Sequence, residues 1–298
     1  MRAMRVSDTD TATVLRVPGG RGRRFDRGAR PRPEVRTRPD VTMIHPHIDE
    51  DLTDGVAVLQ LDRPRRRNAL THSMWLALGQ RIGELGQRSD VTAVVLRGRG
   101  VNFSAGADLD EVHEATRSEG AAARYCRTIV DTLQALVRCP VPTIAVVHGQ
   151  VSGGGVELAL ATDIRLGAAD TSMQLPMARL GVIPDAVTIA LLNRSVGPGL
   201  SRWLLLTGRT IDAGRCLDVG LLHELATDGS VDDLLATVLA ELSRASRTAM
   251  AGIKLHLDRE VPADSSSAAA EMAWSFAYGD VAATVGRLRA RPARGGRL

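Results

Sequence analysis

The chain of 298 residues reads as an α/β fold. Three observations lead there. Short runs of β-branched and aliphatic residues alternate with longer stretches of helical periodicity. Two of the β-type runs end in small-residue turns that hold glycine, within residues 101–109 (VNFSAGADL) and at residues 153–155 (GGG). The second of these turns leads directly into a helix-type pattern, and strand and helix alternation of this kind builds layers of sheet and helix around one core.

Each element has its own reason. Residues 56–61 (VAVLQL) form a strand-like run. Residues 71–88 carry apolar positions at helical spacing, and Thr71 stands where a side-chain oxygen can cap the first turn. Residues 93–97 (AVVLR) and 143–148 (TIAVVH) are further strands, with a long helical stretch at 111–138 between them. Residues 163–166 (DIRL) give another strand, and from 186 onward the pattern is mostly helical. No internal repeat stands out.

The segment with the most chemistry is residues 153–157, Gly-Gly-Gly-Val-Glu. Backbone N–H groups at a helix start lack intrahelical partners and carry partial positive charge. Glycines let a substrate oxygen approach those donors closely. Glu157 follows in the first helical turn, beside a place suited to a developing oxyanion, a combination that fits proton transfer next to an activated carbonyl. The plain alternative is a tight turn carrying an exposed Glu. The turn within residues 101–109 strengthens the first reading, because two such turns can each aim one N–H at the same oxygen.

Composition narrows the class. No run of 18 apolar residues is present, so no membrane span is expected. Cys126, Cys139 and Cys216 are scattered and odd in number, which makes neither a disulfide framework nor a metal motif and points to a reducing cytoplasm. The net charge of +4 is uneven: residues 1–42 hold 11 Arg and 5 acids, leaving 27 basic and 29 acidic residues in the body. The first 42 residues, with recurrent Gly and Pro and no sustained periodicity, are expected to be a disordered Arg-rich tail, with Met43 as an alternative start. Nucleic-acid contact through that tail ranks a distant third among functions.

An ordered set of motifs resembles the crotonase superfamily, the enoyl-CoA hydratase/isomerase family. They are residues 61–64 (LDRP) with 68–70 (NAL), 103–109 (FSAGADL), 148–149 (HG), 153–158 (GGGVEL), 162–165 (TDIR), 180–184 (LGVIP), 206–208 (LTG) and 213–221. The resemblance spans roughly residues 52–260. It implies a spiral of β-β-α units over residues 43–229 and a C-terminal helical region at 230–298 used in assembly of a homotrimer or a dimer of trimers. It implies an acyl-CoA thioester as substrate, with no further cofactor. It makes the Ala107 and Gly154 amides the oxyanion hole and Glu157 a catalytic acid/base. It assigns Arg65, Arg67, Ala105, Asp108 and Leu109 to the surface that contacts acyl-CoA, although Asp108 also reads as a stabiliser of its turn and the basic run at 65–67 also reads as a solvated loop.

Two departures bear on the reaction. Hydratases of the family place a second Glu where this chain has Met177, which cannot transfer protons. Asp185 stands immediately after Pro184, where some dienoyl-CoA isomerases of the family carry an acid. Two readings of Asp185 stay open: partner of Glu157 in moving a proton, or cap of the helix beginning near Ala186. Isomerisation is therefore expected slightly ahead of hydration. The competing classes are a non-catalytic acyl-CoA-binding or scaffold protein and another reaction of the superfamily, such as decarboxylation or thioester hydrolysis. His148 reads mainly as a structural hydrogen-bonding group, and Trp75, Trp203 and Trp274 as packing residues. Residues 284–291 hold Arg287, Arg289 and Arg291 but lack the aromatic and Glu-Lys-Arg pattern with which relatives reach a neighbouring subunit's CoA.

Overall fold

A computed structural model describes residues 42–227 and 229–257. The strands in chain order are β1 (Thr42–His45), β2 (Ile48–Thr53), β3 (Val56–Leu61), β4 (Ala93–Gly98), β5 (Thr143–Val147), β6 (Gln150–Ser152), β7 (Ile164–Ala168), β8 (Ser172–Gln174), β9 (Ile211–Asp212) and β10 (Glu224–Ala226). The helices are α1 (His72–Gln87), α2 (Leu109–Ala115), α3 (Glu119–Val137), α4 (Gly154–Ala161), α5 (Met177–Leu180), α6 (Ala186–Thr207), α7 (Ala213–Asp218), α8 (Val231–Leu242) and α9 (Arg247–Leu257), with a 3-10 turn at Pro64–Arg66. The tail expected at 1–42 lies outside the described residues except for Thr42, which opens β1. The C-terminal segment at 284–291 and Trp274 lie outside them entirely.

Among the described residues the strands form two sheets. One runs β1-β2-β3-β4-β5-β7-β10 and the other β6-β8-β9. β1, β2 and β3 form an antiparallel meander, and from β3 to β10 the neighbours are parallel. The alternation between sheets follows the chain. β5 enters the large sheet, β6 the small one, then α4 follows; β7 enters the large sheet, β8 the small one, then α5 and α6 follow. This is the β-β-α spiral that the motifs implied.

The pleat explains the core. All five residues of β5 are buried, as expected for a parallel strand covered on both faces. Ala145 and Val147 face the larger apolar cluster, which holds Trp75, Leu78, Ile82, Phe103 and Leu133. Ile144 and Val146 face the opposite way, onto Val95, Leu166, Leu235 and Val238. The second face is thus covered by α8, so the segment beginning at residue 230 enters with an amphipathic helix laid on the main sheet. Each fully buried aliphatic side chain contributes about 1.5–3 kcal/mol.

Helix ends follow local chemistry. Thr71 caps α1 by accepting from Met74 N–H, as expected. The stretch expected as one helix over 111–138 is two, broken before Ser118, whose hydroxyl accepts from Ala121 N–H and starts α3 afresh. β2 was not expected, because Glu50 occupies an inward position of its alternation. Glu50 is 4% exposed and held by the Arg81 guanidinium of α1 through two hydrogen bonds. β6, β8, β9 and β10, at two or three residues each, are too short to carry a period.

Candidate active site

The two glycine turns meet. Leu70 and Ala107 form an isolated parallel bridge in which Leu70 N–H donates to Gly106 O at 2.7 Å and Asp108 N–H donates to Leu70 O at 2.9 Å. Both bonds belong to the neighbours of Ala107. Backbone groups alternate sides along an extended segment, so the Ala107 N–H faces the other edge. That edge is where α4 starts: a Cβ at Gly154 would lie 3.4 Å from the Ala107 nitrogen and 2.8 Å from Trp75 Cζ2. Gly154 is the first residue of α4, so its N–H has no helical acceptor. Among the described residues neither amide donates a hydrogen bond.

Two glycines make this approach feasible. Gly106 has φ +91°, and a Cβ there would lie 2.4 Å from Ser152 O. Gly153 has φ 49° and ψ −120°, a backbone that L side chains rarely adopt. It turns β6 into α4 without a side-chain cap.

Every residue of α4 is buried, and Glu157 is its one charged residue. Glu157 is 8% exposed and has no hydrogen-bond donor among the described residues. Burial, and then the nearby Asp185 carboxylate, push its carboxyl up to about 7. Asp185 caps α6: Oδ1 accepts from Val187 N–H at 2.9 Å and Thr188 N–H at 3.0 Å, and Oδ2 accepts from Thr188 Oγ1 at 2.7 Å. The cap and the electrostatic reach to Glu157 therefore coexist in one side chain. Met177 is 5% exposed and packs within the larger apolar cluster.

The remaining expected residues lie on the approach. Arg65, Arg66 and Arg67 are exposed, with Arg66 paired loosely to Asp110 at 3.6 Å and Arg67 donating to Gln150 Oε1 at 3.3 Å. Their loop is stitched to the first glycine turn, since Ala105 N–H donates to Arg67 O at 2.8 Å. Ala105 is half-buried, and Leu109 is 65% exposed at the start of α2. Asp108 is occupied structurally. It caps α2 and accepts from Arg63 Nη1 at 2.9 Å. Burial alone would push its carboxyl up, but the Arg63 hydrogen bond and the Asp110 N–H outweigh that and hold it below the usual carboxylate range. His148 Nε2 bonds Gly100 O at 3.2 Å, a structural role.

Three residues of the site were given no individual role by the sequence reading, although Arg63 and Asn68 stand in its motifs. Asn68 is fully buried with φ 55°. It accepts from Arg63 N–H and donates to Arg99 O and Asn102 O, holding the arginine loop to the first glycine turn. Arg63 orients Asp108. Tyr125, 8% exposed on α3, feels the charge of Glu157, and its hydroxyl has no partner among the described residues. Its signal was available: Tyr125, Thr132, Leu133 and Leu136 are the buried residues of α3 and share one helical face.

A two-sheet β-β-α spiral, with two amides unengaged among the described residues beside a buried carboxyl, has the architecture of a crotonase-type protein. The chain belongs to the enoyl-CoA hydratase/isomerase family, which it matches over residues 51–278. It is 35% identical over 183 residues to "Probable enoyl-CoA hydratase EchA17" of Mycobacterium tuberculosis, covering 61% of this chain and 69% of that protein. It is 34% identical over 210 residues to the mitochondrial Delta(3,5)-Delta(2,4)-dienoyl-CoA isomerase of Homo sapiens, covering 67% of this chain and 64% of that one. The solved structure of an enoyl-CoA hydratase/carnithine racemase from Magnetospirillum magneticum superimposes with a TM-score of 0.77 at 27% identity, over 82% of this chain and 92% of that one.

Proposed function

We propose that this chain moves a proton on an unsaturated acyl-CoA thioester, with double-bond isomerisation ahead of hydration. The observation that carries the reading is Glu157, buried beside two unengaged main-chain donors with its carboxyl at about 7. The Ala107 and Gly154 amides hold the thioester oxygen, each worth about 3–4 kcal/mol in the transition state. Glu157 takes a proton from one carbon, and the resulting charge spreads onto that oxygen. The proton returns at another carbon, from Glu157 or from Asp185, and the double bond shifts with no net change in composition. A carboxyl near 7 suits both halves at neutral pH.

Met177 favours isomerisation, since a thioether in the place of a second carboxylate cannot direct a water molecule. The two relatives named above carry different activities in their names, and so leave the choice to the residues.

The test is a panel of 2-enoyl, 3-enoyl and 3,5-dienoyl thioesters followed by mass spectrometry and NMR in D₂O. Deuterium incorporation or a shifted double bond is expected, falling about 10²–10⁴-fold in Glu157→Gln. A mass gain of one water with no isomerisation across the panel overturns the preference. Binding without any turnover would favour the non-catalytic alternative.

A further inference from the structure

The site contains two buried hydrogen-bond donors that the proton-transfer mechanism does not use. Trp75 Nε1 and the Tyr125 hydroxyl are both shut from solvent, and neither has an acceptor among the described residues. Trp75 is fully buried and Tyr125 is 8% exposed. The indole nitrogen is attached to the ring carbon next to Cζ2, the atom that a Cβ on Gly154 would meet at 2.8 Å. The next ring atom near that Cβ is Cη2 at 3.4 Å, on the other side of Cζ2 from the nitrogen, so it is the benzo edge that faces the second glycine turn. Tyr125 lies one helix away on α3, which is tied to α1 by Thr132 Oγ1 donating to Trp75 O at 2.8 Å. Its ring stands 5.8 Å from that of His72, at the start of α1. The carboxylates of Glu111, Asp108 and Glu157 all act on its hydroxyl through space, yet none accepts from it.

An unmade hydrogen bond in a dry place is destabilising, and native interiors contain few of them. Among the described residues neither donor has an acceptor, and Tyr125 lies within electrostatic reach of Glu157.

We propose that Tyr125 is a specificity-determining residue whose hydroxyl donates to an oxygen on the acyl chain, so that the preferred substrates are oxygenated acyl thioesters rather than plain hydrocarbon ones. This rests on the acyl-CoA reading of the site. Of the two orphan donors, Tyr125 is the one that tests cleanly, because phenylalanine keeps its shape and removes only the hydroxyl.

The experiment is titration calorimetry of the full chain with three saturated thioesters of equal length, one hydrocarbon, one hydroxylated and one carrying a ketone on the acyl chain. With the oxygen set beyond the β-carbon, none of the three can be hydrated, dehydrated or have a double bond shifted, so the readout is independent of that catalysis. Wild type is expected to bind an oxygenated thioester about tenfold tighter than the hydrocarbon one. Tyr125→Phe is expected to erase that ratio while binding the hydrocarbon thioester as well as wild type does. Its melting temperature should stay level or rise, since the hydroxyl removed has no partner among the described residues. Equal affinities in wild type, or a preference that survives the substitution, overturn the proposal. So does a melting temperature several degrees lower, which would reveal a structural bond. Failure of all three thioesters to bind wild type overturns the acyl-CoA reading itself, and is recognised by the absence of heat with the hydrocarbon compound.

Discussion

Glu157 has opposite effects on stability and on chemistry. Its carboxyl is raised from 4.5 to about 7 by burial and by Asp185. The folded chain keeps this proton up to about pH 7, whereas the unfolded chain loses it near 4.5. The group's stabilising contribution is therefore complete below the unfolded value and is lost as pH rises through the folded one. Glu157→Gln should melt higher than wild type at pH 8, by up to about 3 kcal/mol, and the advantage should vanish below the unfolded value. Thermal melts across pH check the sign. The glutamate itself was legible in the sequence because a glycine turn precedes it. Its burial was not, since α4 is apolar all round and only the two sheets closing over it reveal that. Tyr125 was missed for a related reason: a helical face shows that a side chain points inward, but not that its hydroxyl will lack a partner.

At the scale of elements, Asp185 serves α6 and Glu157 together, and two substitutions separate these roles. Asp185→Asn keeps an oxygen for the Val187 and Thr188 amides, so its melt should stay within about 1 kcal/mol of wild type. Its charge is gone, so the Glu157 carboxyl should fall and the pH–rate limb should move to lower pH. Asp185→Ala should show the same kinetic shift and additionally lose about 0.5–2 kcal/mol of stability. A second element, α9, is held at its start by Arg247, which donates to the carbonyls of Val91, Gly86 and Arg88, and further along by one ion pair. Lys254, the sole lysine of the chain, ties α9 to the sheet through Asp163 Oδ2 at 2.6 Å and Val141 O at 2.9 Å. Lys254→Met keeps the stem and removes both bonds, and should cost about 1–3 kcal/mol in a denaturant titration. Strands β3, β4, β5 and β7 could be read in advance because their runs are apolar. β2 could not, because its register depends on Arg81, which comes 31 residues after Glu50.

For the whole molecule, the spiral could be named only from the order of motifs. A period of two within each strand says nothing about which strand enters which sheet. The assembly expected from the same resemblance is a prediction of mass: light scattering on the intact 31.8 kDa chain should give three or six protomers. The spiral itself has a further consequence. The paired amides come from two different turns, one after β4 and one after β6, and both are main-chain atoms. No replacement of a side chain other than by proline can delete them. Met177 and Tyr125, by contrast, can change in a single step. The fold thus divides the site into a part that any sequence folding this way must reproduce and a part open to revision, so new chemistry can arise here without rebuilding the paired amides.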